Sequence, residues 1–272
     1  MKKQGLDILI VEDDEVSAVV AENYVERLGH RAERVPSGEA ALGALSALTF
    51  DLVLMDIEMK GIDGFETVRR IRRGEGGAAA SLIPVIAMTA HDEAKIRAAI
   101  RESGMNGYIA KPVRAEEIGR LIEALTGAEP TGGEEAGPRH SPEAAADIEG
   151  AGLDLGAALE RLGGDRELLE EILAAFLSEA EGKRRGIAVA IAGDDREKLR
   201  RLAHSVRGGA LTIGAEGLAL AAQKLEAAVL ADDGASFVDL ASRVDLAYAR
   251  LEELASELEG DGNTAAADNS PR

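Results

Sequence analysis

The chain has 272 residues, enough for one large domain or two small ones that each bury a core. It contains no cysteine, which excludes disulfides, thiolate zinc sites and cysteine nucleophiles and fits a reducing, cytoplasmic setting. The net charge is −19 and no segment is basic, since residues 1–126 hold 16 basic and 21 acidic side chains and residues 153–259 hold 13 and 21. Non-specific nucleic-acid binding is therefore not expected. Nor is membrane insertion or a signal peptide, because no 18-residue apolar span occurs.

"DILIVEDD" (7–14) opens the chain as a short apolar strand, and "EVSAVVAENYVERLG" follows as a helix closing on Gly29. "RAERV" (31–35) is a weaker strand, and "SGEAALGALSAL" is helical from a Ser37 cap. "DLVLMDIEM" (51–59) is a buried strand, followed by a glycine-containing loop and the helix "GFETVRRIRR". "IPVIAMTAH" (83–91) and "NGYIAKPV" (106–113) are further strands, each followed by a helix. Five strands alternating with five helices predict a parallel α/β sheet covered on both faces. Residues 127–152 are rich in Pro, Gly, Ala and Glu without apolar period and read as a flexible linker. From Leu153 the period is purely helical, predicting an all-α antiparallel four-helix bundle over 153–259 and a disordered tail over 260–272.

In open α/β sheets, function gathers beyond the carboxyl ends of the strands. Here the first strand ends in Glu12 and Asp13, the third in Asp56, the fourth in Thr89 and the fifth in Lys111. Three converging carboxylates repel one another, and their pKa values rise unless a cation sits among them. Hard oxygen donors with room for water favour Mg²⁺, and a lysine opposite them suits a phosphate oxygen. Singly, each residue is as readily a helix cap or a surface charge. Jointly they describe a place where a phosphoryl group meets a carboxylate and a metal. Met55, Met59 and Met88 read as core packing.

With "ILIVEDDE", "LVLMDIEMKGIDG", "PVIAMTA" and "YIAKPV" in order, residues 6–125 resemble the receiver domains of two-component response regulators. The resemblance implies a flavodoxin-like five-stranded sheet of order 2-1-3-4-5, with Asp56 as phosphoacceptor. It implies Mg²⁺ held by Asp13, Asp56 and the backbone carbonyl of Glu58, with Glu12 acting directly or through water. Lys111 would hold the phosphate, the Thr89 hydroxyl would move to it, and Tyr108 would change rotamer as a switch. A cis Lys111–Pro112 bond is also implied. Glu58 and His91 stand where the family tunes phosphate lifetime, and Lys60 stands where it usually has proline.

In the second half, "AHSVRGG" (203–209) places a histidine on a helix whose core face carries Leu199, Leu202, Ala203, Val206, Ala210 and Ile213. His204 falls about 140° from that face, which turns it outward or to the flank. Gly208, one turn on, costs the helix about 1 kcal/mol against alanine but leaves clearance beside the ring. Arg200, Arg201 and Arg207 supply positive charge near it. No second metal ligand stands at i+3 or i+4, and no triad partner is visible. From the residues alone, a nucleophile and a merely solvated histidine are equally good readings.

"LAHSVRGGALTIGAEGLALAAQKLE" is similar to the signature of histidine phosphotransfer (HPt) domains, and the resemblance spans residues 153–258. It implies His204 as phosphoacceptor with Arg207 (where lysine is usual), Gly208 and Gly214 around it. Gly209 stands where Ser or Ala is commoner. Receiver and HPt domains on one chain imply a phosphorelay. Phosphate would pass from a sensor or hybrid histidine kinase to Asp56, on to His204, and then to a downstream receiver, with reverse flow allowed. No "DxGxG" kinase motif is present, so the phosphate comes from elsewhere and the chain is expected not to be a kinase. The receiver itself would catalyse its own phosphorylation and dephosphorylation. The opening Met1 and polar tail favour a complete chain over the end of a longer kinase. Two other readings stay open. The bundle is a phosphorylation-controlled docking module with His204 idle, or Asp56 serves an Mg²⁺-dependent phosphohydrolase.

Overall fold

The computed structural model describes residues 5–89, 94–126 and 153–267. The expected linker, with His140, and His91 lie outside the described residues. The chain divides into two compact units, Met1–Ser141 and Pro142–Arg272.

The first unit alternates β1 (Asp7–Val11), α1 (Glu15–Arg27), β2 (Arg31–Val35), α2 (Gly38–Ala47), β3 (Leu52–Asp56) and α3 (Gly64–Arg72). It continues with β4 (Val85–Thr89), α4 (Ala94–Ser103), β5 (Gly107–Ala110) and α5 (Ala115–Thr126). All strand pairs are parallel, in the order β2-β1-β3-β4-β5. That is the expected flavodoxin-like sheet. β3 and β4 are buried along their whole length, as a strand covered on both faces must be. β2 sits at the edge and is largely exposed, which accounts for its polar sequence. Leu9, Val11, Val53, Met55, Val85 and Ala87 pack with Ala41, Leu45, Val68, Ile71 and Ile100 of α2, α3 and α4. The alternate residues Ile8, Ile10, Leu52, Leu54 and Ile86 face the other way and are equally buried. Met55, Met59 and Met88 are core residues, as read. α1, α2 and α3 start on side-chain caps: Asp14 accepts from Ser17 N–H, Ser37 from Ala40 N–H and Asp63 from Glu66 N–H.

The second unit comprises the short α6 (Leu155–Arg161) and four long helices: α7 (Arg166–Ala192), α8 (Arg196–Thr212), α9 (Glu216–Leu230) and α10 (Phe237–Ala267). The long helices pack as a closed ring, α7 on α8, α8 on α9, α9 on α10 and α10 back on α7. Its core stacks Phe176 of α7 on Tyr248 of α10, ring centroids 5.6 Å apart. Gly209 of α8 lies against that stack, and a Cβ there would stand 2.6 Å from the Phe176 ring. The turn from α8 to α9 passes through Gly214 at φ +75°, where the entering chain crosses it and Asp154 N–H donates to Gly214 C=O at 3.0 Å. α10 runs on to Ala267, into the span 260–272 read from sequence as tail. No proline falls between Phe237 and Pro271 and Ala265–Ala267 favour helix, so Gly260 and Gly262 weaken α10 without ending it.

Candidate functional site

The parallel register brings the strand ends to one edge of the sheet, with Val11 opposite Met55, Asp56 opposite Met88 and Thr89 opposite Ala110. The residues that end the apolar runs therefore lie at the same edge of the sheet. Lys111, held at its backbone by an N–H bond to Thr89 C=O, places Nζ 2.7 Å from Glu12 Oε2 and 3.0 Å from Asp56 Oδ2. Carboxylate oxygens of Glu12, Asp13 and Asp56 lie within 4.8 Å of one another. Glu58 donates its N–H to Asp56 Oδ1 at 3.2 Å, fixing that carboxylate from the loop after β3. Lys60 donates its N–H to Asp13 Oδ2 at 3.3 Å.

Burial, reinforced by the Asp56 charge, holds Glu12 well above the usual carboxylate range against the pull of Lys111. Burial also raises Asp13, opposed by the Lys60 N–H bond. Burial would depress Lys111, but the Asp56 and Glu12 carboxylates overcome it and raise its pKa. One buried ammonium thus stands among three clustered carboxyl groups. The donors are all hard oxygens, so the residues fit Mg²⁺. Thr89 is buried at the end of the neighbouring strand. Tyr108 sits half-buried on β5, with the Arg97 guanidinium 5.6 Å from its ring centroid. The Lys111–Pro112 bond is cis, as expected.

On α8 the core face is as read: Leu199, Ala203, Val206, Ala210 and Ile213 are buried, with Leu202 at the margin. His204 lies on the flank where α9 packs, with 13 % of its side chain exposed. Its Nδ1 is 2.8 Å from Oε1 of Glu226, a carboxylate only 4 % exposed. Arg207 Nη1 is 3.2 Å from Glu226 Oε2. A carboxylate partner for the histidine is therefore present, contrary to the reading that none is visible. Arg207 also has a counter-ion already. Beside the ring, a Cβ on Gly208 would meet nothing within 4 Å, so the expected clearance exists. Glu226 was not singled out from sequence, although a signal was there. In "EGLALAAQKLEAAVL" it continues the buried stripe Leu218, Ala222 and Leu225, and an acid on such a stripe needs a partner.

Family comparison matches residues 8–123 to the response regulator receiver domain and residues 171–261 to the Hpt domain. The chain joins a receiver domain to an HPt domain. It is 30% identical over 249 residues to the sensor histidine kinase GacS of Pseudomonas protegens, covering 90% of this chain and 26% of the relative. The sensor protein GacS of Pseudomonas syringae pv. syringae is 28% identical over 245 residues, again with 90% of this chain and 27% of the relative. The chain thus spans about a quarter of these relatives. Among solved structures, the receiver domain of sensor histidine kinase PA1611 from Pseudomonas aeruginosa, with magnesium ion coordinated in its active site cleft, is 32% identical. It covers 46% of this chain and 99% of its own, at TM-score 0.42. Receiver and HPt domains together support phosphorelay signalling. Among the described residues, no helix is long and apolar enough to cross a membrane.

Proposed function

We propose that Asp56 and His204 are successive phosphoacceptors of a relay. In the first step an Asp56 carboxylate oxygen attacks the phosphorus of a partner kinase's phosphohistidine. The P–N bond breaks, the imidazole nitrogen keeps the electron pair and takes a proton, and an acyl phosphate remains on Asp56. Asp13, Asp56 and the Glu58 carbonyl would hold Mg²⁺, with Glu12 direct or through water, and the ion would offset charge on the phosphoryl oxygens. Lys111 lies within reach of an oxygen on Asp56 and supplies the second positive charge. Thr89, at the adjacent strand end, would then turn to the phosphate, and Tyr108 would respond beside Arg97.

In the second step a His204 ring nitrogen attacks an aspartyl phosphate, the P–O bond breaks and the carboxylate leaves. The observation that carries this reading is the 2.8 Å contact between His204 Nδ1 and Glu226. A carboxylate accepts, so Nδ1 carries the proton and the basic lone pair resides on Nε2, which becomes the nucleophile. Gly208 leaves room beside the ring for a partner's backbone and the phosphoryl group. A histidine idle at a docking surface would give no reason for a buried acid aimed at one ring nitrogen. The partners are then a histidine kinase and a downstream receiver, and the direction of flow is set by their phosphorylation state.

The test is phosphotransfer from a small phosphodonor and from a cognate kinase to the parent, Asp56→Asn and His204→Gln proteins. The parent should acquire an acid-labile, base-stable phosphate that His204→Gln lacks. Labelling confined to Asp56 would refute the relay and leave the docking reading.

A further inference from the structure

Lys60 stands at the mouth of the carboxylate cleft, in a loop position where receivers usually carry proline. A proline there has no N–H to give and no charge. Lys60 supplies both to a single atom: its N–H reaches Asp13 Oδ2 at 3.3 Å, and its Nζ lies 3.9 Å from that same oxygen. Asp13 is one of the three clustered carboxylates, and its side chain is the most open of them.

From this geometry we infer that Lys60 is a built-in competitor for the divalent cation and lowers the receiver's affinity for Mg²⁺. The inference rests on the metal-site reading above and extends it to a residue outside the ligand set. An ion that takes the oxygen Lys60 engages must share it, and an ion on the other Asp13 oxygen still lies a few ångströms from the ammonium. The ammonium must then either stay near a doubly charged ion or withdraw into water. Lys111 cannot play this part, because it is buried between Glu12 and Asp56 and belongs to the floor of the cleft. Lys60 is different in kind, since 73 % of its side chain is exposed. It can swing away, so it weakens the ion without excluding it.

The size of the effect follows from that exposure. Two charges of opposing demand a few ångströms apart, in a water-like dielectric and at physiological ionic strength, change an affinity by about three- to tenfold. The effect should shrink as ionic strength rises.

The experiment is calorimetric titration of the full chain with MgCl₂, comparing the parent with Lys60→Gln, Lys60→Arg and Asp13→Asn. Lys60→Gln removes the charge and keeps the N–H. It should bind Mg²⁺ about three- to tenfold more tightly, and the gap should narrow as KCl is raised. Lys60→Arg keeps the charge and should stay near the parent. Lys60→Gln at the parent's affinity, or a gain that Lys60→Arg reproduces, would overturn the inference. Asp13→Asn separates the two levels of the argument. If it binds Mg²⁺ as the parent does, the carboxylate site itself is misassigned and the role of Lys60 falls with it.

Discussion

Replacing Glu226 by alanine removes the 2.8 Å hydrogen bond to His204 Nδ1 and the 3.2 Å ion pair to Arg207 in one change. A hydrogen bond to a charged group contributes about 1.5–3 kcal/mol. Arg207 is partly exposed and is rehydrated at little cost, so most of the loss falls on the ring. At the lower bound, about 1.5 kcal/mol, the preference for a protonated Nδ1 drops about tenfold. A substantial share of the rings then carries the proton on Nε2 and cannot attack. Glu226→Gln keeps an acceptor oxygen and should hold the tautomer. The assay is ¹⁵N spectroscopy of the imidazoles, tractable with four histidines in the chain, paired with single-turnover phosphotransfer. Glu226→Ala should move the His204 nitrogens toward the other tautomer and slow transfer, by at most about tenfold, with Glu226→Gln close to the parent. An unchanged tautomer together with an unchanged rate in Glu226→Ala would refute the assignment of Nε2 through Glu226.

The two adjacent glycines of α8 should respond in opposite senses. Gly208→Ala fills open space and should stabilise the bundle by up to about 1 kcal/mol while slowing phosphotransfer, since the clearance beside His204 is lost. Gly209→Ala drives a Cβ to 2.6 Å from the buried Phe176 ring and should destabilise by about 1–3 kcal/mol, read by thermal circular dichroism. In the receiver, His30 Nδ1 accepts the Leu6 N–H and burial lowers its pKa. Its contribution is therefore complete above the unfolded value of about 6.5 and is lost as pH falls through the lower folded value. The parent should lose more receiver stability than His30→Ala when denaturation is compared at about pH 7 and about pH 5. Mg²⁺ at ten times its dissociation constant should stabilise the receiver by about 1.4 kcal/mol, and Asp13→Asn should abolish the gain in a thermal melt.

The sheet was legible because β3 and β4 are buried on both faces and so read as unbroken apolar runs. Its site was legible for the same reason: the first polar residue after each run must lie at the sheet's edge, which singles out Glu12, Asp56 and Lys111. What stayed hidden depends on contacts that no local period encodes. Glu226 is 22 residues from His204, and only the packing of α9 on α8 turns one toward the other. The Lys60 N–H bond to Asp13 depends on how the loop after β3 folds back over β1, a distance of 47 residues in sequence. At the end of α10, the Gly-Asp-Gly-Asn composition at 260–263 suggests a break, whereas the helix continues to Ala267.

The crossing of Asp154 over Gly214 has a mechanical consequence. The bond from Asp154 N–H to Gly214 C=O pins the chain's entry into the bundle to the carboxyl end of the helix that bears His204. The two points are ten residues apart along nearly one axis, about 15 Å at a helical rise. A pull on the chain ahead of Leu153 is therefore delivered to the turn between α8 and α9, because Leu153 itself bridges Ala215, the residue that opens α9. The load enters the bundle at the joint between the helix that bears His204 and the helix that bears Glu226.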